Sequence, residues 1–227
     1  MINSILGILD DKDVMPTLLE GLQRLELEYG DYDWVGIATL ENGRIRHLQT
    51  QGNMQNLQHR LQQQPMAGNL GIAYLHKTVP GEPDIPRSSL YVSEQVAIIS
   101  NGIVKNADDI REYLLKLGYE FFGTTTEEVI LRMILRYLEI GSLPEEAVLV
   151  TVARLRGEFS ILALFAQPAN RLIATRHDSP LAIGTNKNLF YLSSEFKTLD
   201  VLCHRIIELE GGKPIVLRSS NKGITNL

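Results

Sequence analysis

Residues 159–165 read FSILALF and are apolar at every position but Ser160. A strand with one wet face alternates apolar and polar residues, so a continuous apolar run marks a strand covered on both sides. Residues 172–175, 181–183 and 189–193 are further short strands, set apart by turn residues. Short turns join antiparallel neighbours. Antiparallel strands buried on both faces need a second sheet on one side and helices on the other. The expected fold class is therefore α+β, with two antiparallel sheets face to face and helices over their outer faces.

The chain has 227 residues, enough for a sizeable core, and shows no internal repeat or linker. A single domain over residues 1–227 is expected. The net charge of −5 argues against nucleic acid and against an anionic membrane as partners. No apolar run reaches the roughly 18 residues that span a bilayer, and residues 1–20 lack the pattern of a secretory leader. A cytoplasmic address is expected. The one cysteine, Cys203, excludes an internal disulfide and a cysteine zinc cage.

Helices are readable from their caps and stripes. Val14, Leu18, Leu22 and Leu25 repeat at helical spacing after Asp13, and Gly30 closes that helix. Asn42-Gly43 joins strands 34–40 and 44–48 as a type I′ hairpin. The glutamine-rich segment 49–64 carries Met54, Leu57 and Leu61 on one side and reads as a surface helix. Residues 79–86 hold three prolines and read as a loop. Asn106 is expected to cap a helix with Ile110, Tyr113, Leu114 and Leu117 buried. Thr125 and Glu128 have capping-box spacing ahead of Val129, Ile130, Met133, Ile134 and Tyr137. A third helix is expected over 144–155. Strands 205–208 and 214–217 are expected to pair through Gly211-Gly212.

Residues 95–103, QVAIISNGI, form a short buried strand that is expected to break at Asn101-Gly102. Such a corner aims a backbone N–H and a side-chain amide at one point, as an oxyanion hole requires. It is also an ordinary turn dipeptide.

Residues 18–38, 81–114, 125–130, 155–164, 176–184 and 189–199, in this order, resemble the class II glutamine amidotransferase domain. The glutaminase domain of glucosamine-6-phosphate synthases is the nearest pattern. The resemblance covers nearly the whole chain and implies the four-layer αββα sandwich of N-terminal nucleophile hydrolases. It places Asn101 and Gly102 at the family's oxyanion hole.

The same resemblance implies that this sequence has lost the family's chemistry. The family's nucleophile is an N-terminal cysteine whose own amine serves as base; that position here is Asn3, behind Met1 and Ile2. Ser4 is one residue along the strand and so is expected on the opposite face. The family arginine that grips the substrate carboxylate corresponds to His76, and the next position to Lys77. Its aspartate for the substrate amine corresponds to Thr126. The nucleophile, its amine and both charge partners are therefore missing together. The expectation is a glutaminase-like domain without glutamine hydrolysis, binding a small molecule in a pocket lined by His76, Lys77, Thr126 and Asn101. The alternatives are altered chemistry based on His76 or Lys77, and a working aminotransferase domain with its isomerase elsewhere. No isomerase domain lies within these residues. A homo-oligomer or a separate partner domain is compatible with either.

No cofactor or metal is expected: His47, His59, His76, His177 and His204 show no metal-ligand spacing. Cys203, between Leu202 and His204, reads as a packed thiol. Glu28, Asp31 and Asp33 read as a solvated loop.

Overall fold

The computed structural model describes residues 2–30, 32–78, 89–166, 170–186, 189–218 and 224–226. The first half runs β1 (Ile2–Leu9), α1 (Met15–Tyr29), β2 (Trp34–Glu41), β3 (Arg44–Gln51), α2 (Met54–Gln63), β4 (Leu70–Lys77), β5 (Leu90–Val92) and β6 (Val96–Val104). Then come α3 (Ala107–Lys116), α4 (Thr126–Glu139), α5 (Pro144–Val152), β7 (Gly157–Phe165), β8 (Arg171–His177), β9 (Ala182–Asn186) and β10 (Leu189–Ser193). The chain continues through α6 (Phe196–Leu202), β11 (Arg205–Glu208), β12 (Ile215–Arg218) and β13 (Ile224–Asn226).

The strands form two antiparallel sheets, ordered β11-β9-β10-β1-β4-β2-β3 and β13-β12-β8-β7-β6-β5. Their facing sides are packed with Ile5, Leu9, Tyr74, Ile99, Leu162 and Leu172. The outer side of the seven-stranded sheet is closed by Leu18, Leu22 and Leu25 of α1, Leu57 of α2 and Leu199 of α6. The outer side of the six-stranded sheet is closed by α3, α4 and α5 through Ile110, Ile130, Ile134 and Val148. Residues 159–165 are buried throughout, because β7 lies between the facing sheet and the helices. This is the αββα layering expected from that run.

Local expectations hold where the signal is local. Asn42 and Gly43 both have positive φ, as a type I′ turn requires. Thr125 caps α4 by accepting from the Glu128 amide at 3.4 Å. Pro16 sits in the first turn of α1, where a missing N–H costs little.

Four expectations are corrected. Asn101-Gly102 is no turn: β6 runs through it to Val104, in register with β7 as far as Gly157. Gly102 takes φ +98°, open to glycine, so the strand twists there instead of stopping. Strands β11 and β12 do not pair; β11 joins β9 and β12 joins β8, in different sheets. The Gly211-Gly212 link crosses between sheets because Leu209 and Ile215 both enter the core that the two sheets share. Asn106 holds the N-cap position of α3 as expected, but its side chain makes no cap hydrogen bond and instead braces residues 154–156 through its Nδ2 and Oδ1. Of the α3 stripe, Ile110 and Leu114 are buried, whereas Tyr113 and Leu117 stay at the surface. Strands β5 and β13 had no sequence signal. The proline-rich loop at 79–86 and Asp31 lie outside the described residues.

Candidate functional site

Alternation along the strands decides which side chains meet. On β1, Ile5 and Leu9 face the opposing sheet, while Leu6 and Ile8 face the helices. Asn3 therefore points between the sheets and Ser4 points away. The Ser4 Oγ lies 3.4 Å from a carboxylate oxygen of Glu195, whose other oxygen accepts from the Tyr29 hydroxyl at 2.7 Å. Ser4 is thus on the far side of the sheet from Asn3.

On β4, His76 stands directly opposite Asn3 in the ladder. Both side chains are buried, and the His76 Nδ1 lies 2.5 Å from the Asn3 Oδ1. An amide oxygen only accepts, so this network assigns the proton to Nδ1. The Asn3 Nδ2 donates across the sandwich to the Ser100 carbonyl of β6 at 3.2 Å. Ser100 in turn donates from its hydroxyl to Glu127 of α4 at 2.8 Å. Hydrogen bonds thus join His76 to Asn3 and Asn3 to Ser100, whose side chain holds Glu127. This chain of contacts links both sheets to a helix.

A cleft of about 220 Å³ opens beside this network, lined by Ser89, Gly102, Ile103, Val104, Thr124, Thr125, Thr126 and Glu127. Its loop wall is held rigidly. The Glu128 carboxylate accepts from the amides of Phe122 and Gly123, each at 2.8 Å. Arg111 donates to the carbonyls of Gly123 at 2.8 Å and Thr125 at 3.0 Å, with its guanidinium over the Phe121 ring.

The expected pocket is thereby redistributed. Gly102 and Thr126 line the cleft, and half-buried Asn101 stands next to Gly102 on β6. His76 is spent on Asn3 and does not line the cleft. Lys77 follows His76 on β4 and so projects from the other face; its Nζ lies 3.9 Å from the spot where a Cβ on Gly30 would sit. His76 and Lys77 therefore cannot share one wall. Asp33 accepts from the Thr78 amide at 2.6 Å, which holds its carboxyl below the usual range and fixes the end of β4. Cys203 is half-buried against Gly184, and burial pushes its thiol up to about 11. Among the described residues, no three His, Cys, Asp or Glu side chains gather as a metal site. No described helix is long and apolar enough to cross a membrane.

Glu127 is the site residue that sequence reasoning missed. It stands at i, with Ile130 at i+3 and Ile134 at i+7, on the stripe that packs inward. A carboxylate on an apolar stripe was the available signal. It puts an acidic group one position after Thr126, where the resemblance had the counter-charge removed.

Two facing antiparallel sheets between helical layers are the architecture of the N-terminal nucleophile type of amidotransferase fold. A sequence model of the glutamine amidotransferase domain matches residues 86–201, and the chain belongs to that family, in its class II branch. Among curated relatives, the glutamine–fructose-6-phosphate aminotransferase of Bartonella henselae is 37% identical over 213 residues, covering 94% of this chain and 35% of the relative. The enzyme of that name from Bradyrhizobium diazoefficiens is 35% identical over 220 residues, covering 97% of this chain and 36% of the relative. The chain thus spans about a third of the length of these relatives. Among solved structures, the glutamine phosphoribosylpyrophosphate amidotransferase of B. subtilis superposes with a TM-score of 0.80 at 18% identity, over 99% of this chain and 48% of that one. A glutamine aminotransferase class-II domain protein from Silicibacter pomeroyi gives 0.64 at 16% identity, over 99% of this chain and 98% of that one. These structural likenesses speak for the fold.

Proposed function

We propose that this chain is a glutamine amidotransferase domain that has given up glutamine hydrolysis and acts as a metabolite-binding or regulatory module. One observation carries the reading: the side chain at the nucleophile position is an amide, buried and tied to His76 on one side and Ser100 on the other. An amide nitrogen is delocalised into its carbonyl and does not attack a substrate amide as a thiolate does. Ser4 offers no substitute, since it faces Glu195 behind the sheet. Altered chemistry on His76 or Lys77 draws no support from a ring engaged with Asn3 and an amine on the other face.

The names of the relatives favour a second reading. In it, the domain would serve a sugar-phosphate aminotransferase whose isomerase part is supplied beyond these residues. That reading needs a nucleophile at the position that Asn3 holds.

Restoring the thiol asks whether the rest of the site is still competent. The Asn3→Cys variant, confirmed folded by circular dichroism, is expected to release no ammonia from glutamine. His76 would lose its acceptor, and Thr126 would still stand where the family has its aspartate. Glutamine hydrolysis appearing in this variant would mean that only the nucleophile was lost and that the rest of the site is intact; hydrolysis by the unaltered chain is what would favour the second reading.

A further inference from the structure

We propose that the outer face of α5 is the contact surface for a second copy of this chain, with the two α5 helices packed antiparallel about a two-fold axis at Val150. The proposal does not depend on whether the domain hydrolyses glutamine.

Exposure along α5 follows the helical period. Pro144, Glu145, Ala147, Val148, Thr151 and Val152 are buried. Leu143, Glu146, Leu149, Val150 and Ala153 fall on the opposite side, and all five are exposed. Leu143, Leu149 and Val150 are 57%, 42% and 38% exposed. The usual order is thereby reversed. The inner face holds Glu145 and Thr151, whereas the outer face is apolar at every position but Glu146. A helix lying on a protein surface normally turns its polar residues outward. A contiguous apolar stripe on the outside marks an interaction surface instead.

Charge decides what covers it. The stripe has one acid near its start, Glu146, and one base just beyond its end, Arg154, where the amides of Arg154 and Leu155 continue the last turn. The Glu146 carboxylate is set by accepting from the Leu143 amide at 2.9 Å. The Arg154 guanidinium lies over the Tyr113 and Tyr137 rings, 5.9 and 6.0 Å from their centroids. Both side chains are exposed, and among the described residues neither has an oppositely charged partner. They stand four residues to either side of Val150, roughly 6 Å along the helix in each direction. Half a turn about an axis through Val150 therefore sets each Glu146 against Arg154 of the other copy, with Leu149 and Val150 between them. A parallel pairing would set like charge against like. A surface that complements itself in this way is what a two-fold dimer requires.

One short helix per copy makes a contact below the standard size of about 1,600 Å², so a weak dimer is expected, with a dissociation constant on the order of 10–100 μM. Sedimentation velocity on the full chain, from about 1 μM to about 1 mM, reads it. Val150→Glu places two carboxylates face to face on the axis and should leave a monomer throughout. Glu146→Arg and Arg154→Glu, each alone, put like charges across the contact and should weaken the dimer at least about tenfold. The double exchange restores opposite charges and should recover most of that loss. Circular dichroism confirms that each variant is folded; since all three positions are exposed, it should be. A monomer at every concentration would leave the stripe to a different occupant and overturn the proposal. A dimer untouched by Val150→Glu would place the contact elsewhere and overturn it too. Single exchanges that weaken the dimer without recovery in the double variant would overturn the antiparallel pairing.

Discussion

Gly102→Ala is expected to destabilise the fold severely, by about 3 kcal/mol or more, because two penalties coincide. The residue holds φ +98°, where an L side chain is strained. A Cβ there would lie 2.1 Å from the Glu158 carbonyl oxygen and 2.9 Å from the Phe159 Cα. Both obstacles are backbone of the neighbouring strand, so no rotamer change relieves them. Urea denaturation reads the loss directly as a lower midpoint at unchanged slope. A variant within about 1 kcal/mol of the parent would show that β6 can untwist at this point, and the contact with β7 would not be the reason for glycine. The consequence for function is specific. The glycine beside Asn101 has a structural cause that operates whether or not an oxyanion ever forms, so its presence is no argument for catalysis.

Removing Glu145 is the second large effect. Its Oε1 accepts from Arg218 at 2.6 Å and is ion-paired with Arg171, tying α5 to β8 and β12. The carboxylate and Arg171 side chains are only 9% and 10% exposed, so the pair is buried rather than rim-exposed. Glu145→Ala withdraws the shared counter-charge from two guanidinium groups and is expected to cost about 3 kcal/mol. The pH dependence has a definite sign. Burial pushes the Glu145 carboxyl up, but hydrogen bonds from Arg218 and Arg171 outweigh it, leaving the group below its ordinary 4.5. A lowered folded value means stability that is present above about 4.5 and lost as the pH falls further. The variant should therefore trail the parent at neutral pH and approach it under acid conditions. Urea midpoints at neutral and acid pH check this, and an equal gap at both would contradict the assignment to Glu145.

What could be read in the sequence follows from the range of the interactions involved. The α4 stripe, the Asn42-Gly43 turn and the doubly covered run at 159–165 are local patterns, and all three took the expected form. The partners of β11 and β12 depend on contacts far apart in the chain. A glycine pair between two strands looks like a hairpin whether the link folds back or crosses to another sheet. Gly102 was singled out for the right position but the wrong conformation, since a positive φ within a strand has no composition signature.

The site divides in the same way. Strand alternation correctly separated Ser4 from Asn3, as their opposed hydrogen-bond partners show. Alternation should also have separated His76 from Lys77, which the resemblance had put side by side in one pocket. Glu127 was passed over because its neighbour Thr126 occupied the position of interest, and because burial of a helix N-terminal glutamate depends on what β6 presents to it. The Ser100 hydroxyl that does so belongs to another element.

We propose that Asn3, held between His76 and Ser100, leaves this amidotransferase domain without glutamine hydrolysis. Ammonia release from glutamine by the purified, unaltered chain tests it most directly. The expected result is no release beyond that of glutamine alone in buffer. Release that depends on the chain and disappears in the Asn101→Ala variant would contradict it, because the oxyanion hole would then be at work.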